Sequence, residues 1–295
     1  MWIPTLGGKQ LWTDYRWLFG WRVQYNSTLD IWRLLKPNSV LELSGSRTKV
    51  LDRFESMQPE IESRSALPEH YVILLHGMLR TSASMNALSR AFQSKTEIKP
   101  ISVSYASSRD PIKQHALALN ELIQNLPGRP MLSFVGHSLG NIVLRYMIGE
   151  LERNEDPNRL LERMNRIVML GPPNNGSSFA KKLSEMKLFE IVTGSSGSLL
   201  GPSWKLLESK LAVPPCPFGI VAGDVTQSKW SLPNPLLKGP SDWVVSVAET
   251  HLEEASETLV LPCVHSFLMT DNRAVDSTVR FICSGTFHPI SPSFK

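Results

Sequence analysis

Residues 131–147 read MLSFVGHSLGNIVLRYM. An apolar run, MLSFVGHS, has the length of a buried strand, and LGNIVLRYMIGELE begins a second, helically periodic apolar stretch. Between them, Gly136-His137-Ser138-Leu139-Gly140 places a hydroxyl where strand turns into helix, with a glycine two residues to either side. A residue on so sharp a turn holds strained backbone angles, and side chains two positions before and after it collide unless they are absent.

Working outward, short apolar runs alternate with amphipathic stretches from about residue 70 onward, which predicts an α/β fold with a mostly parallel sheet flanked by helices. YVILLHG, ending at Gly77, is a strand, followed by IKPISVSYA. DPIKQHALALNELIQNL is a helix, with Pro111 near its first turn and Pro127 just past its end. NRIVMLGPP, FGIVAGD and ETLVLPC are further strands, and NRAVDSTVRFIC is the last helix. The connection after NRIVMLGPP is unusually long. In it, SSFAKKLSEMKLFEIV aligns Phe179, Leu183, Met186 and Phe189, and SWKLLESKL aligns Trp204, Leu207 and Leu211. These faces either complete the core or form a lid over a pocket, and residues 174–216 are the expected lid insertion.

The first 69 residues hold Trp2, Trp12, Trp17, Trp21 and Trp32. Their strands, GWRVQYN and VLELSG, are expected to supply one edge of the sheet, with the aromatics as core; a membrane-surface anchor is the alternative. RFESMQPEIESRSALPEH reads as a polar connector within one domain spanning residues 1–295. A chain of 295 residues, 42% hydrophobic, buries a sizeable core without splitting into several domains. A net charge of +4 with scattered Lys and Arg argues against nucleic acid. Cys216, Cys263 and Cys283 are too few and too far apart for a disulfide framework or zinc site and read as buried thiols. The N-terminus has no signal-peptide pattern and no apolar run spans a bilayer, so a cytoplasmic location is expected. Peripheral contact with a lipid interface stays open.

The Gly-x-Ser-x-Gly pentapeptide is common by chance; the strand before it and the helix after it turn it into a candidate nucleophile elbow. The alternative is a tight glycine turn. A serine hydroxyl needs a base to remove its proton and an acid to orient that base. His265, directly after ETLVLPCV, is the candidate base. His70, His115, His251 and His288 fall on connectors, helix faces or the tail and read as solvated; His137 sits within the elbow and His76 in another loop. Two acids are candidates: Asp224 ends the strand FGIVAGD, and Asp242 lies in GPSDWVVSV, a glycine- and proline-rich loop leading into another apolar stretch. The backbone N–H of Leu139, at a helix N-terminus, and that of Met78, after Gly77, are the expected donors to a developing oxyanion.

LLHGM, GHSLG, GPPNNGS, SDWVVSV and CVHSF, in that order over residues 70–283, resemble serine esterases and lipases of the α/β-hydrolase superfamily. The resemblance is to bacterial lipase-like members related to triacylglycerol lipases and the GPI inositol-deacylase group. It implies the α/β-hydrolase fold, hydrolysis of carboxylic esters, often of acyl lipids, and no organic cofactor. GPPNNGS resembles the turn at which the lid of such lipases begins. SDWVVSV resembles their acid-bearing Asp-Gly-Val-Val segment, which favours Asp242 over Asp224 and sets Trp243 where glycine is usual. Ser138, Asp242, His265 is then the α/β-hydrolase order. Some such lipases hold structural calcium, but no cluster of acids marks a site here. An acyltransferase and a non-catalytic binding protein are the rival functions.

Overall fold

A computed structural model describes residues 6–64, 66–176, 202–226 and 239–289. Strands β1 (Thr13–Leu18), β2 (Trp21–Asn26), β3 (Ile31–Leu35) and β4 (Leu41–Gly45) pair antiparallel in chain order. Helix α1 (Arg47–Ser63) follows, its first turn capped by the Ser46 hydroxyl, which accepts the Lys49 N–H. Val50 and Phe54, one helical turn apart, pack with Tyr15, Leu18, Val23, Trp32 and Leu34. Two sequence expectations are corrected here. The early strands form a sheet of their own rather than an edge of the main one, and most of the expected polar connector is helix. The sparse apolar stripe of α1, interrupted by Pro59, is what hid it. Trp17 packs against the main core, its ring 5.7 Å from that of Tyr71.

The remaining strands are β5 (His70–Leu75), β6 (Lys99–Val103), β7 (Met131–His137), β8 (Met164–Leu170), β9 (Phe218–Gly223) and β10 (Glu257–Leu261). Among the described residues they form one parallel sheet in the order β10-β9-β8-β7-β5-β6. Between β5 and β6 lies α2 (Asn86–Lys95), then come α3 (Ile112–Gln124), α4 (Leu139–Arg153), α5 (Pro202–Glu208), the short α6 (Val247–Thr250) and α7 (Asn272–Ser284). Strand alternation divides the core in two. Tyr71, Ile73, Leu75 and Phe134 face α3 and α4, whereas Val72, Leu74 and Val135 face α2 and α7. Burial on both faces explains the unbroken apolar runs.

Chain direction reverses at one place. From β5 the chain moves outward to β6, then returns past β5 to β7 and continues to β8, β9 and β10. The carboxyl ends of β5 and β7 therefore flank a topological switch point, the crevice where open α/β sheets place their ligands. Met78 follows β5 there and Ser138 follows β7.

At the elbow Ser138 has φ 51° and ψ −117°, which lets β7 run directly into α4. A Cβ on Gly136 would lie 2.2 Å from the Asn141 side chain and 2.9 Å from its backbone N. One on Gly140 would lie 2.6 Å from the carbonyl oxygen of Leu75 and 3.0 Å from that of His76. The glycines thus make room for α4 itself and for the end of β5. Gly140→Ala is expected to lower stability by about 2 kcal/mol in urea unfolding, because the obstructing atoms are two backbone oxygens and the Leu75 Cβ, none of which can swing aside.

The turn after β8 is tied in from behind. Arg145, buried on α4, donates from Nη1 to Asn174 Oδ1 (2.9 Å), and Asn174 Nδ2 donates to the Thr250 carbonyl (2.8 Å). The SSFAKKLSEMKLFEIV face lies outside the described residues. Leu207 of α5 is buried in the core shared with α3 and α4, and Leu211 packs against it. Cys263 is buried, Cys216 half-buried and Cys283 exposed, so the reading of three buried thiols holds for one. Among the described residues no helix is long and apolar enough to cross a membrane.

Candidate active site

Ser138, Asp242 and His265 are all buried at the carboxyl end of the sheet. The His265 Nδ1–H donates to Asp242 Oδ2 at 2.6 Å. A carboxylate only accepts, so Nδ1 carries the proton and, in the neutral ring, Nε2 keeps its lone pair. The other carboxylate oxygen, Oδ1, accepts the N–H groups of Val244 (2.9 Å) and Val245 (2.7 Å). Asp242 is thus pinned in one orientation by its own turn. The His265 backbone N–H also donates to the Asp242 carbonyl at 3.0 Å.

Ser138 and His265 meet the same turn. The Ser138 N–H donates to the Leu170 carbonyl at 2.9 Å. The next residue, Gly171, has φ 52°, and a Cβ there would lie 3.0 Å from His265 Nδ1 and Cε1. The imidazole therefore rests on the Leu170–Gly171 backbone that also holds the serine.

Asp224 makes no hydrogen bond to His265 among the described residues. Its Oδ1 accepts the Thr226 N–H (2.9 Å) and hydroxyl (2.6 Å), closing a local turn after β9.

On the other side of the crevice, the N–H of Leu139 opens α4 and so has no intrahelical acceptor. The Met78 N–H makes no backbone hydrogen bond among the described residues. Gly77 brings that loop against the elbow: a Cβ there would lie 2.7 Å from His137 Nδ1 and 3.3 Å from Ser138 Cβ. His76 fixes the same peptide. Its Nε2 faces the Tyr105 N–H (3.4 Å), so Nδ1 carries the proton and donates to the Gly77 carbonyl (2.8 Å). In a trans peptide the Met78 N–H points opposite to that carbonyl. Stacking on Tyr105, ring centroids 4.0 Å apart, keeps the imidazole in place.

His137 has a matching part on the base. Its Nε2–H donates to the His265 carbonyl at 3.0 Å, so the backbone of His265 is held at both its N–H and its C=O. Neither support is visible in the sequence, because the ring orientations depend on backbone atoms of remote residues, Tyr105 for His76 and His265 for His137. The expectation that His115 is solvated is corrected: it is buried against Tyr105, and neither ring nitrogen has a hydrogen-bond partner among the described residues. His70 is half-buried on β5, where its Nε2 shares a 2.9 Å hydrogen bond with the Ser133 hydroxyl.

Burial pushes His76 down to about 4 and His115 down to about 3. Burial, and then the adjacent His265 ring, push His137 well below the ordinary histidine value. Each group protonates first in the unfolded chain, so its contribution is complete above about 6.5 and is lost as pH falls towards the folded values. Each histidine that stays neutral in the folded chain contributes a slope of at most about 1.4 kcal/mol per pH unit. The melting temperature is expected to drop steeply between about pH 6.5 and 5, and His115→Phe should flatten that slope by about a third.

Residues 65–191 match the family described as "Putative serine esterase (DUF676)". The fold is the α/β-hydrolase fold. It is shared with the propeptide form of Bacillus licheniformis lipase BlEst2, at 13% identity and a TM-score of 0.50 over 77% of this chain and 52% of that one. The lin2722 gene product of Listeria innocua is similar at 14% identity and a TM-score of 0.49, covering 77% of this chain and 95% of that one. The thioesterase RedJ of Streptomyces coelicolor is similar at 15% identity and 0.47, covering 74% and 91%. No curated protein matches the chain. The family match spans β5 to the turn after β8, and hence the elbow and the loop after β5. It supports ester hydrolysis as the class of reaction.

Proposed function

We propose that the protein is a serine carboxylic-ester hydrolase acting through an acyl-enzyme on Ser138. The observation that carries this is the shared turn: Ser138 hangs from the Leu170 carbonyl while the His265 ring, oriented by Asp242, rests on Gly171. His265 takes the serine proton as the hydroxyl attacks the ester carbonyl, and returns it to the leaving alcohol. The imidazolium formed in between is stabilised by the Asp242 carboxylate. The N–H groups of Met78 and Leu139 receive the charge that develops on the carbonyl oxygen, assisted by the positive end of the α4 dipole. Water then enters in place of the alcohol, and the same proton transfers release the acid.

The rim of the site favours an apolar acyl group. Leu79, Trp243 and Phe267 follow Met78, Asp242 and His265 by one or two residues, and all three side chains are exposed. Trp243 holds φ 77° and Leu79 φ 57°, conformations that cost a side-chain-bearing residue about 1 kcal/mol each. Large, exposed apolar side chains this close in the chain to the site residues suit contact with an acyl chain.

An alkyl fluorophosphonate is expected to label the chain once, on the tryptic peptide that contains Ser138. Labelling elsewhere, or none, contradicts the proposal.

A further inference from the structure

Beyond the carboxyl end of the edge strand β6, the antiparallel sheet and the main sheet border an open cavity of about 270 Å³. Lys9, Arg22, Arg33, Ser39, Ser82 and Ser104 line it, and none of its described lining residues is acidic. Behind it, Asp14 has both carboxylate oxygens engaged. Its Oδ2 accepts Arg22 Nη1 (2.8 Å) and the Ser104 N–H (2.7 Å), and its Oδ1 accepts Gln24 Nε2 (2.7 Å). Among the described residues that line it or bond to its lining, Asp14 is thus set against Lys9, Arg22 and Arg33.

The donors are held in place before any ligand arrives. Arg33 donates from Nε (2.9 Å) and Nη2 (2.6 Å) to the neutral Gln24 Oε1, and its guanidinium lies 3.6 Å above the Trp12 ring. That leaves Nη1 without an acceptor among the described residues. Burial pushes Arg33 down to about 10, with the Asp14 charge opposing, so its charge is held at a cost that an anion would offset. Lys9 is exposed and has no carboxylate partner among the described residues. The Ser82 and Ser104 hydroxyls share one hydrogen bond at 2.8 Å, which uses only one of their two protons.

We infer that this cavity is a binding site for a phosphate group, either free or carried on the headgroup of an acyl ester. Guanidinium, ammonium and hydroxyl donors converge from separate elements, which suits a tetrahedral dianion better than a planar carboxylate. The volume leaves room for a small group attached to the phosphorus. Ser104, in its wall, follows β6, which stands two strands from β7 and Ser138, so the cavity lies on the same rim of the sheet, at least about 10 Å from Ser138. The two are also joined by Gln10, next to Lys9, whose Nε2 donates to the Leu79 carbonyl (3.3 Å) beside Met78. The headgroup source rests on the proposed role of Ser138, whereas the phosphate site does not.

Calorimetric titration of inorganic phosphate into the full chain at low ionic strength tests the site directly. Lys9→Ala and Arg33→Gln should each weaken binding about tenfold, the loss of one charge-assisted hydrogen bond, and Arg33→Lys should weaken it less. Kinetics with hexanoyl glycerol phosphate and monohexanoyl glycerol then distinguish the sources. A headgroup site predicts a KM about tenfold higher in Lys9→Ala and Arg33→Gln for the phosphorylated ester alone, at unchanged kcat. Unchanged KM values for both esters, with phosphate binding weakened, assign the site to free phosphate. No phosphate binding to the wild-type chain, or binding equal in the wild type and both variants, overturns the inference. That titration remains decisive even if neither ester is turned over.

Discussion

Ser138→Ala is expected to lower kcat for a short p-nitrophenyl ester by at least about 10⁴-fold, leaving the urea midpoint almost unchanged. The substitution removes only Oγ. The main-chain bond from residue 138 to the Leu170 carbonyl survives, and so do the Met78 and Leu139 N–H groups. Alanine and serine pay similarly for φ 51°, so the elbow does not relax. What disappears is the covalent route; the residual rate is what binding and the oxyanion donors supply to direct attack by water. A variant that keeps its rate within tenfold removes Ser138 as the nucleophile, and an unchanged melt excludes unfolding as the cause of a loss.

How far the chain could be read without coordinates varied with the range of the interaction that decided each element. Strands β5, β7, β8 and β9 are buried on both faces, and their unbroken apolar runs announce this locally. Pairing is not local. GWRVQYN reads as a strand, yet nothing within it says that its neighbours are β1 and β3 rather than the main sheet. Helix α1 was hidden by a weak stripe and by Pro59. His115 looks like any polar residue on an amphipathic helix until Tyr105 and the core close around it. The motif positions Ser138 and His265 could be picked out because each follows a strand directly. The parts of His76 and His137 could not, since each consists of one hydrogen bond to a carbonyl, at Gly77 and at His265. Asp224 ends an apolar run and Asp242 precedes one; the SDWVVSV resemblance favours Asp242, and the turn geometry separates them, with Asp242 on the His265 ring and Asp224 on Thr226.

That separation has a kinetic consequence. Asp242→Asn is expected to lower kcat about 10⁴-fold, whereas Asp224→Asn should change it by no more than about threefold. In Asp242→Asn the side-chain oxygen must keep the place of Oδ1, because the Val244 and Val245 N–H groups donate there at 2.9 and 2.7 Å. The amide NH₂ then takes the place of Oδ2, 2.6 Å from His265 Nδ1. Two donors cannot share that contact, so the imidazole proton moves to Nε2, and the ring loses the lone pair that would accept the serine proton. Flipping the amide instead would set its NH₂ against two backbone donors. In Asp224→Asn the oxygen still accepts from Thr226, and no titrating partner depends on the lost charge. Both variants should be measured on the same ester beside their melting curves. A larger loss at position 224 than at 242 transfers the role of the acid to Asp224, and equal small losses mean that His265 acts without a carboxylate or does not act as the base.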